Sequence, residues 1–347
     1  MEIMYNFVFI YPLFMAFVWI FGTIIFERSR MDKEEDEEDL PQTPKVSVVI
    51  PCHNEQYCIK ETVEFLMKQD YPDFEIVVVD DGSTDNTPAI LKELQQRYDC
   101  LKIVSLKSNR GKGTALTMGA LASCSEYLVC TDADALLDPM ALRRFVYHFI
   151  KFPRVGAITG NPRIRNRTSI LGKIQVGEFS SIVGMIKRTQ RILGKIYTVS
   201  GVVAAFRKSA LLSVGFWSHN MHTEDVDISW KLQLKFWDIR YEPRALCWIL
   251  MPETISGLLS QRLRWAQGGS EVLLKYFRTL MSWKQRRMWP LYIEYIISVL
   301  WSYSLALTVI IWIINVFFKL PKPFAVNFLP GWAGATLSMT CLLQCSS

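Results

Sequence analysis

The chain has 347 residues, half of them hydrophobic, and its 39 Lys and Arg against 33 Asp and Glu leave a formal charge of +6. That length holds one large core together with membrane spans. With no basic stripe or motif, so small a surplus excludes a nucleic-acid partner and points to bases lying beside anionic lipid.

Tyr5 to Phe26 carries no charge, and 22 residues at about 1.5 Å each reach about 33 Å, enough to cross a hydrocarbon layer of about 30 Å. A cleaved signal peptide would need a basic start, a shorter apolar run and a small-residue cleavage site, none of which is present, so an uncleaved anchor is expected. Arg28, Arg30 and Lys33 follow this span, and Lys275, Arg278, Lys284, Arg286 and Arg287 precede a second apolar run, Leu291 to Phe318. The positive-inside rule therefore predicts a multi-pass protein of the cell membrane, with the central domain cytosolic and the amino terminus outside. Cys52, Cys58, Cys100, Cys124, Cys130 and Cys247 lack CxxC spacing. In a reducing compartment they are expected to be buried free thiols. Glu294, near the start of the second run, either marks a polar path or, being near the span's end, reaches the headgroups, the latter being favoured.

Met31 to Pro44 is acidic, contains two prolines and reads as a solvated linker. After it come five short β-branched runs, Val46–Ile50, Glu75–Asp80, Lys102–Leu106, Glu126–Asp132 and Gly156–Thr159, separated by helical stretches. This rhythm predicts an open parallel α/β sheet that binds its ligand beyond the carboxyl ends of the strands. Asn54 is expected to precede a helix, and DDGSTDNTP to form a turn ending in an N-cap. Ser169 to Ile196 and Ile255 to Phe277 alternate apolar and basic residues at helical spacing, as interfacial or ordinary amphipathic surface helices do.

Acidic clusters at three places demand a ligand, because carboxylates at strand ends repel one another without a cation, a proton or donors nearby. Asp132 and Asp134 in TDADA follow a buried strand. Oxygen donors of that kind suit Mg2+ or Mn2+ with a diphosphate, and no His or Cys cluster argues for zinc. Asp81 in DDGSTD is a candidate acceptor for a base N–H, although such turns also form without ligands. Lys112 in NRGKGTAL is placed to meet a phosphate or ribose, or to sit solvated at a helix start; the nucleotide-triphosphatase pattern fails because position 106 is Leu. Thr223, Glu224 and Asp225 open a helix, where the dipole stabilises carboxylates and where Asp225 is a candidate general base. Gln261, Arg264 and Trp265 of QRLRW combine a donor, a guanidinium for a departing diphosphate and an indole platform for a sugar ring.

The ordered set VVIPCHNE, VVVDDGSTD, NRGKGTAL, TDADA, TED and QRLRW resembles the processive inverting glycosyltransferases of family 2, which include cellulose, chitin and hyaluronan synthases. GNPRIRNRTSILGKIQ, SGVVAAFRKSAL, YEPRALCWILMPET and RWAQGGSEVLL resemble the bacterial synthases of poly-β-1,6-N-acetyl-D-glucosamine, a biofilm exopolysaccharide. The resemblance implies a Rossmann-like GT-A domain with flanking transmembrane helices. It further implies UDP-N-acetylglucosamine as donor, the growing polysaccharide as acceptor, membrane lipid around the spans and a small accessory membrane subunit. In those roles Pro51, Glu55 and Asp81 would surround the uracil, Asp132 would lie near the ribose and diphosphate, and Asp134 would coordinate the ion. Asp225 would be the base beside Glu224, and Gln261, Arg264 and Trp265 would hold the leaving group and the terminal sugar.

The expected organisation is an anchor over 1–26, a linker over 27–44, a catalytic domain over 45–280 and a membrane-returning segment over 281–347. WAGATLSMTCLLQCSS is expected not to span, unlike the further helices of similar synthases. Other readings are another family 2 synthase of hyaluronan, chitin or cellulose type, a nonprocessive lipid-linked glycosyltransferase and an inactive membrane scaffold. QxxRW favours processivity, and intact Asp132, Asp134 and Asp225 disfavour the scaffold.

Overall fold

The computed structural model describes residues 2–31, 40–179 and 184–318. The segment 319–347, with its short apolar end, and most of the acidic linker lie outside these residues. In chain order the elements are α1 (Glu2–Met31), β1 (Val46–Cys52), α2 (Ile59–Leu66), β2 (Phe74–Asp80), α3 (Thr87–Arg97), β3 (Leu101–Ser105), α4 (Lys112–Ala122), β4 (Tyr127–Thr131), β5 (Leu136–Leu137) and α5 (Ala141–Lys151). They continue as β6 (Val155–Ile164), α6 (Ile170–Phe179), α7 (Lys187–Ile192), β7 (Val203–Arg207), α8 (Lys208–Val214), α9 (Glu224–Leu234), β8 (Asp238–Ile249), α10 (Ile255–Leu280) and α11 (Trp289–Phe318).

One sheet organises the domain, in the order β3-β2-β1-β4-β7-β6-β8-β5. β1, β2, β3 and β4 pair in parallel, as the first four β-branched runs predict, and the fifth run lies in β6, parallel to β8 but antiparallel to β7. The sheet as a whole is mixed, which corrects the all-parallel expectation. β7 runs antiparallel between β4 and β6, and β5 antiparallel beside β8. β7 reads VAAFR, and alanine gives little strand signal. β8 contains Pro243, which would argue against a strand. Here the proline falls within a register shift, between the pairs Thr159↔Tyr241 and Asn161↔Leu246, where no ladder bond is asked of it. Its carbonyl accepts from the Asn161 side-chain amide at 2.8 Å.

Both faces of the sheet are covered, which is why its inner strands are apolar without alternation. Val46, Val48 and Ile50 pack with Ile59, Val63, Leu91 and Phe145 on one face. Val49 faces Leu116, Ala120 and Leu128 on the other. Each such side chain, taken fully from water, contributes roughly 1.5–3 kcal/mol. Gly119 of α4 permits this approach, since a Cβ there would lie 2.3 Å from Val49 Cγ1.

Glu2–Ser29 and Trp283–Ile314 are long and apolar enough to cross a membrane, and the most apolar stretches of each are 22% and 6% buried. Helices so bare are not core helices. Tyr11 and Ser298 hydroxyls meet at 2.7 Å, and Trp301 Nε1 donates to Val8 O at 3.0 Å, joining α1 to α11. α1 also receives α7, with Thr189 Oγ1 donating to Trp19 O at 3.1 Å and Arg188 pairing with Glu27 at 2.6 Å.

Local signals were met in part. Asn54 does not cap α2, which starts five residues later; it has φ 58° and its Oδ1 accepts from Thr84 N at 2.8 Å. Asp85 rather than Asn86 accepts from the first turn of α3, at Thr87 N. The six described cysteines are free, but Cys124 is exposed, so burial does not hold for all of them. Within the stretch 169–196, α6 covers Ile170–Phe179 and α7 covers Lys187–Ile192 after a wide turn at 184–186, while 180–183 lie outside the described residues and the helix does not continue to Ile196. Ile170 and Ile174 of α6 and Ile255, Leu259 and Leu263 of α10 form exposed apolar rows at i, i+4 spacing.

Candidate functional site

β1 and β2 deliver their following turns to one crevice. Asp81 is buried, and its two carboxylate oxygens accept from Arg110 N and Gly111 N, each at 2.8 Å. The carboxylate thus fixes the loop that launches α4 at Lys112. Gly82 is required in this turn: it has φ +68°, and a Cβ would lie 2.7 Å from the Ser108 backbone. Pro51 lies in β1 opposite Val79. Glu55 is half-buried; burial, then Asp134 and Asp132, raise its carboxyl above the ordinary glutamate value. Glu55 and Asp134 are therefore electrostatic neighbours although they are 79 positions apart in the chain.

A cavity of about 850 Å³ opens beside this crevice, and Asp134 and Asp225 both line it, together with Lys112, Asp132 and Glu224. Gln261, Arg264 and Trp265 face the same space from α10. Pro51, Glu55 and Asp81 do not line it; they form the adjoining crevice, and Gly111 and Lys112 join the two.

Lys112 is the main cation of the centre. Its ammonium lies 2.6 Å from Asp132 Oδ1 and 3.6 Å from Glu224 Oε1, and donates to Gly201 O at 3.1 Å. Although burial opposes its charge, Asp132 and Glu224 raise its pKa further above the ordinary lysine value. Asp134 has no cation in contact among the described residues. Burial and then Asp132 raise its carboxyl above the usual aspartate value. Asp225 is half-buried, and desolvation and then the neighbouring Glu224 push its carboxyl up to about 6, outweighing the help of Lys112. It sits against Gly201, where a Cβ would lie 3.2 Å from Oδ2.

The donor set fits a hard divalent cation. Asp132 and Asp134 are one residue apart, and among the described residues no cation touches Asp134, Lys112 acting on it only at a distance. Among the described residues no three His, Cys, Asp or Glu side chains gather into a cage. Two carboxylates with water or phosphate completing the shell is how Mg2+ or Mn2+ is commonly held, unlike structural zinc.

On α10, Gln261 Oε1 is buried with no hydrogen-bond partner among the described residues. Arg264 is exposed to the cavity with no ion pair among them. Trp265 leans on Phe179 with centroids 6.4 Å apart, and the Arg262 guanidinium lies 4.7 Å from its ring centre while pairing with Glu178 at 2.5 Å. α10 is held to α9 by buried Asp227, which accepts from Lys275 at 2.6 Å and Tyr276 at 2.8 Å. Removing one side of such a pair costs about 3–5 kcal/mol.

Sequence reasoning missed the cavity's far wall except for Glu294, whose reading as part of a polar path fits its position there better than a reach to the headgroups. Lys187, Gln190 and Tyr197 line it, and so do Trp19 of α1 and Glu294, Tyr295 and Ser298 of α11. A lysine in a basic amphipathic stretch looks like a surface residue, so nothing local marked Lys187.

Comparison with known proteins matches this geometry. The model of "Glycosyl transferase family 2" matches residues 47–215. A poly-β-1,6-N-acetyl-D-glucosamine synthase of Staphylococcus epidermidis is 45% identical over 307 residues, covering 86% of this chain and 73% of that one. The synthase of the same name from Staphylococcus aureus strain COL is 42% identical over 308 residues, covering 87% and 74%. The solved mannosyltransferase PcManGT from Pyrobaculum calidifontis, in complex with GDP-Man and Mn2+, superposes with a TM-score of 0.72 at 21% identity, covering 99% of this chain and 97% of that one. The fold is thus GT-A, a mixed sheet between helical layers with two apolar helices at its ends, and the chain belongs to glycosyl transferase family 2.

Proposed function

We propose that the chain is a membrane-bound inverting glycosyltransferase that polymerises N-acetylglucosamine from UDP-N-acetylglucosamine into poly-β-1,6-N-acetyl-D-glucosamine. The observation that carries this reading is the opening of Asp134, Asp225, Gln261, Arg264 and Trp265 onto one cavity, in a chain 42–45% identical to synthases of that name.

Pro51, Glu55 and Asp81 hold the uracil in the crevice beyond β1 and β2. Asp132 and Lys112 meet the ribose and diphosphate, with Asp134 and Asp132 as the ligands of Mg2+ or Mn2+. A divalent cation bound there neutralises charge on the departing diphosphate. The acceptor's primary 6-hydroxyl attacks the anomeric carbon from the face opposite UDP. As the new C–O bond forms, the bond to the β-phosphate oxygen breaks, and the hydroxyl proton passes to Asp225. UDP leaves with its charge met by Arg264, and the linkage inverts from α to β. Glu224 raises the basicity of Asp225 and shares Lys112 with Asp132. Gln261 donates to the leaving group or terminal sugar, and Trp265 carries the sugar ring on its face.

The apolar rows on α6 and α10 rest on the membrane surface. With the basic residues flanking α1 and α11, they support a catalytic domain over 45–280 in the cytosol, between an anchor over 1–26 with its linker and a membrane-returning segment from 281. Lipid and a small accessory membrane subunit are the proposed membrane partners. Membranes carrying the chain, incubated separately with different UDP-sugars, test the reading. β-1,6-linked N-acetylglucosamine polymer from UDP-N-acetylglucosamine is expected. Polymer from another donor, or another linkage, overturns it.

A further inference from the structure

Lys187 is the first residue of α7, is 7% exposed, and lines the cavity that holds Asp225. Its ammonium donates to Thr159 Oγ1 at 2.8 Å, and among the described residues it has no other acceptor and no carboxylate in contact. Thr159 Oγ1 is already engaged, since it also accepts from Ser200 N at 2.9 Å. An ammonium has three donors, so two N–H bonds are left unspent in a buried position. Leaving them so is costly, because burial without compensation disfavours the charge. The consequence is visible in the group itself: desolvation pushes its pKa down to about 7, against a pull upward from Asp225.

The position of this amine selects its ligand. Lys112 reaches Gly201 O from the nucleotide side, whereas Lys187 reaches Thr159 and, through it, Ser200 from the side where Trp19, Tyr197 and Tyr295 close the cavity. Asp225 packs against Gly201 between them. The diphosphate belongs with Lys112, Asp132 and Asp134. The space on the Lys187 side is therefore that of the group attacking past Asp225.

We propose that Lys187 binds the acceptor, its two unspent N–H bonds donating to hydroxyl or acetamido oxygens of the terminal sugar of the growing chain. This rests on the assignment of Asp225 as base and of a β-linked amino-sugar acceptor. α7 is itself fastened to α1 through Thr189 and Arg188, so the ammonium is held on a rigid element rather than a loop.

The test is made on the full chain in detergent, in the Asp225→Asn background, so that binding is read without turnover. A short β-1,6-linked N-acetylglucosamine oligosaccharide is titrated by calorimetry, and UDP affinity is measured alongside. A hydrogen bond from a charged group contributes about 1.5–3 kcal/mol. Lys187→Met is thus expected to weaken oligosaccharide binding about 10- to 100-fold while leaving the UDP Kd within about twofold, and Lys187→Arg to recover part of the loss. Lys187→Leu, which also removes every donor, gives the same reading if the Met variant does not fold. Unchanged oligosaccharide affinity in the Met or Leu variant overturns the proposal, as does an equal loss of UDP affinity, which would mark Lys187 as merely structural. If the parent with Asp225 intact makes no β-1,6 polymer, or Asp225→Asn still transfers, the functional reading fails instead, and the oligosaccharide titration still scores Lys187.

Discussion

Gly268→Ala is the sharpest probe of how α9 and α10 share the centre. A Cβ at position 268 would lie 2.3 Å from Thr223 Oγ1, 2.4 Å from Cγ2 and 2.8 Å from Cβ. Rotating χ1 clears at most one of the two outer atoms, and the Thr223 Cβ does not move with it. The helices must part by about 1 Å to reach ordinary contact, an overpacking that costs about 1–3 kcal/mol. Thr223 precedes Glu224 and Asp225, and Gly268 lies three residues after Trp265, so the displacement separates base from platform. A misplacement of about 1 Å costs about 100-fold in rate, equivalent to about 2.7 kcal/mol of barrier at 1.36 kcal/mol per decade. UDP affinity should hold, because Pro51, Glu55 and Asp81 are on other elements. Thr223→Gly removes all three clashing atoms, and Thr223 Oγ1 has no hydrogen-bond partner among the described residues. The double variant should therefore regain most of the transfer rate. The assay is polymer formed from UDP-N-acetylglucosamine, with a melting curve for each variant. A Gly268→Ala protein of parental rate, or a double variant no better than the single, refutes the packing argument.

Asp225→Asn should retain UDP binding and lose about 100- to 10,000-fold in transfer, the usual contribution of a general base; polymer yield at the parental level would remove Asp225 from that role. With its carboxyl pushed up to about 6, transfer should fall about tenfold per pH unit below about 6 and level off above it, because the ionised form takes the proton. A flat rate between pH 5 and 7 contradicts this. The same elevation acts on folding with the opposite sense: the folded state holds the proton more tightly, so this group's contribution to stability declines as pH rises from the ordinary aspartate value through about 6. Chelation of divalent cations should abolish transfer in the parent, and Asp134→Asn should weaken activation by Mn2+ at least tenfold; an equal Mn2+ response excludes Asp134 as ligand. Trp265→Ala should shorten the product with donor hydrolysis preserved, checked by sizing the polymer, and unchanged chain lengths count against an indole platform.

Much of the domain is legible because its inner strands are buried on both faces and therefore continuously β-branched, as Val46–Ile50 and Glu75–Asp80 are. β7 escapes notice for a physical reason: Ala204 and Ala205 are buried on opposite faces of the sheet but carry little strand preference of their own. β8 escapes because Pro243 speaks against a strand until the bulge beside it is seen. The acidic and QRLRW motifs announce themselves because each brings charges that no local fold satisfies. Lys187 and Thr159 do not, since their meaning arises from a contact across 28 positions that leaves two donors unspent. The convergence of Trp19 and Ser298 on the same cavity is likewise set by how α1 and α11 pack, which no periodicity encodes.

The sheet's boundaries matter for a protein confined to two dimensions. β5, at one margin, offers two residues, Leu136 and Leu137, and β3 at the other presents Lys102, whose ammonium is held by Glu75 at 2.6 Å. Copies diffusing in one bilayer collide far more often than they would in solution, and a long bare margin would let them zip together through their backbones. A stub at one end and a lysine at the other deny neighbouring molecules that template, so crowding in a membrane need not become aggregation.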